Sequence, residues 1–427
     1  MASPSIIVRP LTTLEEVVQL FLWADQAFSQ QPDPVRAQNR GQTAFTKPNV
    51  LSRQLRGAFR DNKQLGSYAL YSWTLRMGAA RIPTACIGMV VVDPEARKQG
   101  IASTLMHDAI QLASEQGESL LLLDGIPDFY YRYGYTDVFD VTRYDINRAA
   151  ILALAGSSHT VRPATPEDAP ALRGLYERRL GGYTASFERS QEKQENLLSD
   201  RFRANTVLLA LSPEQAVEGY LMVSQPPDLT QALELAADNW PAQVALMQAH
   251  VQLTNGPEAP ATHTYYLPPT SAELYRIIDH LEVPDTSNWE NPAEEWGVRA
   301  SQFHHRHAGW LARFTRLPLL FNAMLPELEA RWQRSLAHWS GELQFIIENE
   351  RVTLAINGAT LELVETAGPT ALTFQCSPQS FTQLIFGYRP ASWLLAQQPQ
   401  TLPAEALAIL TQLFPTEHTW ISFTDSF

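Results

Sequence analysis

Apolar runs punctuated by glycine, proline and acidic turns organise this chain. Gly66–Trp73 and Ile87–Val92 read as strands. From about Gly100 to Gln116 the period lengthens. Ile101, Leu105, Ile110, Leu112 and Ala113 recur close to helical spacing, and Gly117 is a stop signal. Leu120–Leu123 follows, apolar at every position, as a strand covered on both faces. Val207–Leu211 and Val217–Val223 repeat the strand pattern. Beyond residue 300 the runs shorten to Gly341–Glu348, Arg351–Ile356, Thr360–Glu365 and Ala371–Gln375. Helical patterns follow over Pro378–Phe386 and Glu405–Leu413. That order predicts an α+β unit with antiparallel strands.

One stretch echoes another. Val8-Arg9-Pro10-Leu11-Thr12-Thr13 resembles Val161-Arg162-Pro163-Ala164-Thr165-Pro166, and each sits between a strand-like stretch and a helical one. Thr12 or Thr13, and Thr165, are candidate N-caps with acids in the first turn. A shared capping pattern could arise by chance; taken as a repeat, it predicts two related domains with a boundary near Ala155–Ser158.

The most informative turn lies between the strand at Ile87–Val92 and the next helix. Arg97-Lys98-Gln99-Gly100-Ile101-Ala102 leads straight into that helix. The first N–H groups of a helix lack internal partners, and its dipole makes that end positive. A phosphate or pyrophosphate binds such an end through backbone donors, and a glycine allows close approach. In the second copy the corresponding place is expected at Pro226–Ala232. It lacks Arg-x-x-Gly-x-Ala and a basic pair, so this copy reads as having lost its anion site.

Composition narrows the function. The 427 residues carry a formal charge of −13, which argues against nucleic acid and is compatible with a cationic substrate. Two cysteines, Cys86 and Cys376, form no metal or redox motif, as expected for a cytoplasmic protein. The opening residues lack a signal-peptide pattern, and no apolar run is long enough to span a bilayer, so no membrane partner is expected.

The Arg97–Ala102 turn and Tyr130-Tyr131-Arg132-Tyr133-Gly134-Tyr135 together give the chain its resemblance to a known family. It resembles the Eis (enhanced intracellular survival) family of GNAT N-acetyltransferases over nearly its whole length. Val90–Ser103 and Tyr130–Tyr135 are the most specific segments, the second being similar to the family's Tyr-Gly-Arg-Phe-Gly-Tyr. The resemblance implies an α+β fold: a GNAT domain at 1–155, a degenerate GNAT-like domain at 156–300 and a sterol-carrier-protein-like domain at 301–427. It implies acetyl-CoA as cosubstrate, Tyr130 as general acid and the α-carboxylate of Phe427 as general base. Cofactor contacts would fall on Val90, Val91 and Val92, on Lys98, Gln99, Gly100, Ile101, Ala102 and Ser103 beside Arg97, and near Gly125 and Ile126. It also implies a homo-hexamer. Where the family often has a serine–acid pair, this chain has Gly125-Ile126-Pro127-Asp128, which removes a cofactor contact and reshapes the acceptor pocket.

The chemistry agrees with these roles. Acetyl transfer to an amine needs a neutral nucleophile, a polarised thioester and a proton for the leaving thiolate. A strand amide at Val90–Val92 suits the thioester carbonyl. The apolar ending Trp420–Phe427 suggests a tail anchored in a cleft rather than frayed. An α-carboxylate has a reference pKa of about 3.3–3.7, which burial would raise and an incoming ammonium would lower. The bland alternative is that Phe427 packs and its carboxylate stays in water. Tyr131, Tyr133 and Tyr135 read as packing. Arg132 pairs either with a cofactor phosphate or with a carboxylate.

Other features read as structural. His304-His305-Arg306-His307 lacks a second ligand cluster and reads as a solvated polar turn, so no metal is expected. Glu15 and Glu16 read as first-turn acids facing water, and Asp25 and Gln26 as an exposed helix end rather than the lining of an acceptor pocket. Trp289, Trp296 and Trp310 pack domain contacts or line an acceptor cleft. The leading reading is an N-acetyltransferase acting on a cationic small molecule or a lysine side chain. Two others stay open: a non-catalytic protein that binds a lipid through its C-terminal domain, and a transferase of longer acyl groups.

Overall fold

The computed structural model describes residues 5–29, 31–46, 53–126, 128–198, 207–224, 228–256, 258–281, 300–305, 309–336, 338–397, 403–425 and 427. β1 (Ile7–Pro10) leads into α1 (Leu14–Phe28), whose start is a capping box. Thr13 accepts from the Glu16 amide, and the Glu16 carboxylate accepts from the Thr13 amide. α2 (Pro34–Thr46) packs back on α1 through Ala37, Gly41 and Ala44, which are buried. β2 (Arg53–Arg60), β3 (Lys63–Met77) and β4 (Ala80–Val92) continue the antiparallel series begun by β1. β3 and β4 extend well beyond the expected Gly66–Trp73 and Ile87–Val92, because they form one long hairpin. α3 (Ile101–Glu115) then crosses over, and β5 (Leu120–Asp124) lies parallel to β4. Short β6 (Thr136–Asp137) ends this part.

The middle of the chain repeats that order. β7 (Val141–Asn147) and α4 (Arg148–Ala153) precede β8 (Thr160–Pro163), α5 (Ala169–Arg179) and α6 (Gln191–Leu198). β9 (Val207–Leu211), β10 (Val217–Val223) and β11 (Gln231–Ala237) run antiparallel from β8. α7 (Trp240–Gln252) crosses over to β12 (Thr262–Tyr266), which is parallel to β11. α8 (Ala272–Leu281) and β13 (Ala300–His305) follow. Thus β8–β11, α7 and β12 correspond to β1–β4, α3 and β5. The sequence echo is real local structure. Arg9 pairs with Glu16, and Arg162 pairs with Asp168, each at the acid of a capping box.

This correspondence corrects the place of the second loop. It falls after β11, at Ala237–Pro241, not at Pro226–Ala232. Pro226 and Pro227 lie outside the described residues, and Asp228 caps its own turn by accepting from Thr230 and Gln231. At the corrected place Asn239 caps α7 by accepting from the Ala242 amide, and proline occupies the first turn. Asp238 adds a negative charge there and pairs with Arg178 at 2.8 Å.

The last part begins with β14 (Trp310–Phe314), which inserts between β5 and β6. α9 (Leu317–Gln333) follows it. β15 (Gly341–Ile347), β16 (Glu350–Asn357), β17 (Thr360–Val364) and β18 (Leu372–Cys376) make a four-stranded sheet in the order β17-β16-β15-β18. The expected all-antiparallel pairing fails at β15·β18, which is parallel. α10 (Pro378–Ile385), α11 (Ala391–Ala396) and α12 (Ala404–Leu413) complete it. Phe321, Phe345, Phe374, Phe381 and Phe414 fill its core as tilted, edge-on and stacked pairs.

The chain divides into two compact units. One comprises Met1–Val138, Gly309–Glu417 and Phe427; the other comprises Phe139–Ala308 and His418–Ser426. The first holds the sheet β1-β2-β3-β4-β5-β14-β6 and the four-stranded sheet; the second holds β13-β7-β12-β11-β10-β9-β8. In the second unit a buried ion cluster secures the segment after His418. Arg189 donates to Glu234 at 2.6 and 2.8 Å and to Asp425 at 2.9 and 3.1 Å, and Lys193 pairs with Asp425 at 2.9 Å. Trp420 joins the same unit's core, and its amide donates to Thr184 O.

Candidate active site

The turn before α3 is built for an anion. Asp93 caps the short helical turn Pro94–Ala96, accepting from the Glu95 amide. Lys98 and Gly100 then take left-handed backbone, with φ of 62° and 83°. Gly100 is the N-cap of α3 and has no side chain to occupy the first amides of the helix. A Cβ at Gly100 would meet no protein atom within 4 Å, so the glycine leaves open space in front of that end. Arg97, Lys98 and Gln99 are exposed around it, and Gln99 accepts from Arg60 at 2.9 Å.

α3 is held from its far side. Arg56 donates twice to Asp108, at 2.7 Å each, and the Tyr68 hydroxyl donates to the same carboxylate at 2.6 Å. These three residues join β2, β3 and α3, and nothing in the local sequence marks them. At its first turn Ser103 and Tyr133 share a 2.7 Å hydrogen bond between hydroxyls. That contact ties the first turn of α3 to the tyrosine segment.

β4 opens beside this helix end. Its pairing with β5 stops at Ile87↔Leu123, whereas β4 continues to Val92. The β3–β4 register shifts between Ser67 and Ala69, opposite Val91 and Gly88. Met89 carries a φ of 51° at this bulge, an uncommon value for a residue with a side chain. Val90 and Val92 pack toward the α3 cluster, and Val91 packs toward α1. Backbone groups at Gly88–Val92 therefore face a place where the sheet has parted.

The tyrosine segment sits at the end of β5. Tyr130 packs in the α3 cluster against Phe129 and Tyr135. A Cβ at Gly125 would lie 2.3 Å from the Tyr130 ring, so only glycine fits there; Ile126 next to it is exposed. Burial, with the Asp124 charge and Tyr133 nearby, raises the Tyr130 phenol above its ordinary pKa. Tyr133 and Tyr135 are buried as expected. Tyr131 is not: it is exposed and donates to Asp137 at 2.8 Å. Arg132 donates to Phe129 O and lies over the Phe129 ring, 4.4 Å from its centre.

Phe427 belongs to the same unit. Its ring lies 5.3 Å from Trp73, 5.2 Å from Trp310 and 6.1 Å from Tyr71. Its main-chain carboxyl carbon and oxygen are 2.8 Å from where a Gly88 Cβ would stand. Gly88, Tyr71 and Trp73 had no signal of their own in the sequence.

Three readings need correction, at Glu16, at Asp25 and at His304–His305. Glu16 does not simply face water; Arg9, donating at 2.6 Å, holds its carboxyl down at about 2. Asp25 is buried and accepts from Arg36 at 2.9 Å and from the Asp33 amide at 2.6 Å, while Gln26 is exposed. His304 and His305 lie on a strand, and His304 faces Asp140 at 3.4 Å; Arg306 and His307 lie outside the described residues. Trp310 is buried against Phe427, while Trp289 and Trp296 lie outside the described residues. Among the described residues no group of acids, histidines and cysteines could hold a metal ion, and no helix is long and apolar enough to cross a membrane.

Residues 8–138, which hold this loop, bulge and tyrosine segment, match the family model of the acetyltransferase (GNAT) domain. The chain carries a GNAT acetyltransferase domain, and its fold is Eis-like. The acetyltransferase is similar along its whole length to several solved structures. A probable N-acyltransferase from Enterococcus faecalis V583 is 19% identical, with a TM-score of 0.74, covering 99% of this chain and 100% of that one. A GCN5-related N-acetyltransferase from Kribbella flavida is 19% identical at a TM-score of 0.70, covering 100% and 99%. Eis1 from Mycobacterium abscessus is 14% identical at 0.61, covering 99% and 100%. At these identities the likeness is one of fold. No curated protein matches the acetyltransferase.

Proposed function

We propose that this acetyltransferase moves the acetyl group of acetyl-CoA to an amine of a cationic small molecule or a lysine side chain. The observation that carries the reading is the N-terminus of α3. Gly100 is left-handed, nothing caps the first amides, and the space before them is open. Arg97, Lys98, Gln99, Gly100, Ile101, Ala102 and Ser103 would hold the pyrophosphate. Amides at Val90, Val91 and Val92, with Gly125 and Ile126, would hold the arm that ends in the thioester. Acetyl-CoA brings the activated acetyl group. Tyr130 keeps a proton on its hydroxyl for the leaving sulfur, a role that its raised pKa supports. The Phe427 carboxylate takes the proton that the ammonium must lose before it can attack. The formal charge of −13 supports a cationic acceptor.

The division into 1–155, 156–300 and 301–427 belongs to the same proposal, with the last segment sterol-carrier-protein-like. So does assembly as a homo-hexamer, with the second domain kept as scaffold. Asn239, the first-turn proline and Asp238 at the start of α7 support a single cofactor site per chain. Titration calorimetry with acetyl-CoA tests this directly. One site per chain is expected, followed by acetyl transfer in a panel of amines. Two sites, or none, overturns the reading.

A further inference from the structure

We propose that Tyr71, Trp73 and Trp310 form an aromatic seat that positions the Phe427 carboxyl group, and that Gly88 is the gap that admits it. This rests on the reading of Phe427 as the base, which its own test below can separate. Side chains alternate across a sheet. Leu70, Ala85, Ile87, Leu121, Leu123 and Leu311 face the α3 cluster. Tyr71 and Trp73 on β3, Gly88 on β4 and Trp310 on β14 therefore share the opposite face. Phe427 lies on that face. Its ring meets Trp73 edge-on at 5.3 Å and Trp310 at 5.2 Å, with Tyr71 tilted at 6.1 Å.

The seat lies at a telling position. Ile87↔Leu123 is the last β4–β5 pair, so Gly88 is the first residue of β4 beyond it. The ring seat thus delivers a carboxyl group to the mouth of the parted sheet, next to the bulge at Met89. A Cβ on Gly88 would stand 2.8 Å from both the carbon and the oxygen of that group, with Tyr71 at 3.3 Å. The ring contacts fix where Phe427 lies. A chain end left free would spread over many positions, and a misplaced catalytic group loses rate steeply.

The experiment compares the wild type with Phe427→Ala, Gly88→Ala, Trp73→Ala, Trp73→Phe and a chain extended by two residues past Phe427. Phe427→Ala keeps a terminal carboxyl group and removes only the ring. Phe427→Ala, Gly88→Ala and Trp73→Ala are expected to lower kcat by roughly 10- to 100-fold with the acetyl-CoA dissociation constant unchanged, and Trp73→Phe to recover most of it. Digestion with a carboxypeptidase is a second readout, independent of turnover. Phe427 should resist release from the wild type and be released quickly from Trp73→Ala. If the extension abolishes turnover while the three alanine variants turn over normally, the seat is wrong and the base stands. If the extended chain is fully active, the base reading fails, and digestion alone decides the seat. Equal release of Phe427 from wild type and Trp73→Ala overturns it.

Discussion

Tyr130 keeps its proton because its surroundings make a phenolate expensive. It is buried, and Asp124 stands near with a negative charge. Tyr130→Phe removes only the hydroxyl, so the ring still fills the space against Gly125. We expect kcat to fall by about 10²- to 10⁴-fold with acetyl-CoA binding intact. Calorimetry beside steady-state kinetics checks both halves, and an unchanged kcat would make the tyrosine structural. Residue types were legible here, but their surroundings were less so. Tyr130, Tyr131, Tyr133 and Tyr135 look alike in sequence, yet one of them lies in solvent. Asp25 looked exposed at a helix end, because its partner Arg36 is brought to it only when α2 folds back. Gly88 was invisible for a similar reason. What excludes its side chain is a residue more than three hundred positions away.

At the scale of elements, α3 is the piece the proposed chemistry depends on, and it is gripped at its first turn and at its middle. Replacing Gly100 by valine puts a β-branched residue at a φ of 83°, where only glycine sits without strain. The turn should shift, and stabilisation by acetyl-CoA in a thermal melt should vanish while the apo protein melts near its usual temperature. Asp108→Ala acts from the other side. It leaves the Arg56 guanidinium and the Tyr68 hydroxyl without their shared acceptor, at a cost of about 1–3 kcal/mol. We expect a lower urea midpoint and weaker acetyl-CoA binding, since the open end of α3 loses its bearing. Unfolding at the wild-type midpoint would show that the network is slack.

The α3 helix and its loop were readable because glycine, basic residues and helical period coincide within a few positions. The matching place in the second copy was misread by one strand. Gln231–Ala237 is the true last strand before the crossover, but its alanines and glutamate are weak strand formers. Two apolar runs, Val207–Leu211 and Val217–Val223, had already satisfied the count. The pairing partner of β18 was also beyond reach, because strand direction is set by where α9 to α12 let the sheet close.

For the whole molecule, the second unit carries a pH liability. His250 and His263 are buried there with ring centres 4.8 Å apart. His250 contacts the Tyr265 hydroxyl and Leu229 O, and His263 contacts Thr254. Burial, and for His250 the neighbouring His263, pushes them down to about 3 and about 4. The unfolded chain binds these protons near pH 6.5, and the folded unit refuses them until much lower pH. Stability is therefore complete above pH 6.5 and falls as pH drops from there toward about 4. The loss should be on the order of 1–2 kcal/mol per histidine by pH 5. Urea melts at pH 7 and pH 5 measure it. His250→Gln should flatten the slope, and identical slopes would remove these groups from the account.

The ion cluster at Arg189 also has a consequence for how the protein is made. Each unit draws on residues near the end of the chain: 418–426 for one, 309–417 and 427 for the other. Domains generally fold as they leave the ribosome, amino-terminal first. Here neither unit can close while the chain is still short. Until Asp425 emerges, Arg189 lacks its second carboxylate and Trp420 is missing from its core. A nascent chain halted at Glu417 should be cut by protease within 139–308, and completion of the next nine residues should bring protection. Folding would then wait for synthesis to finish, and premature termination should register as a failure of the second unit rather than of the tail.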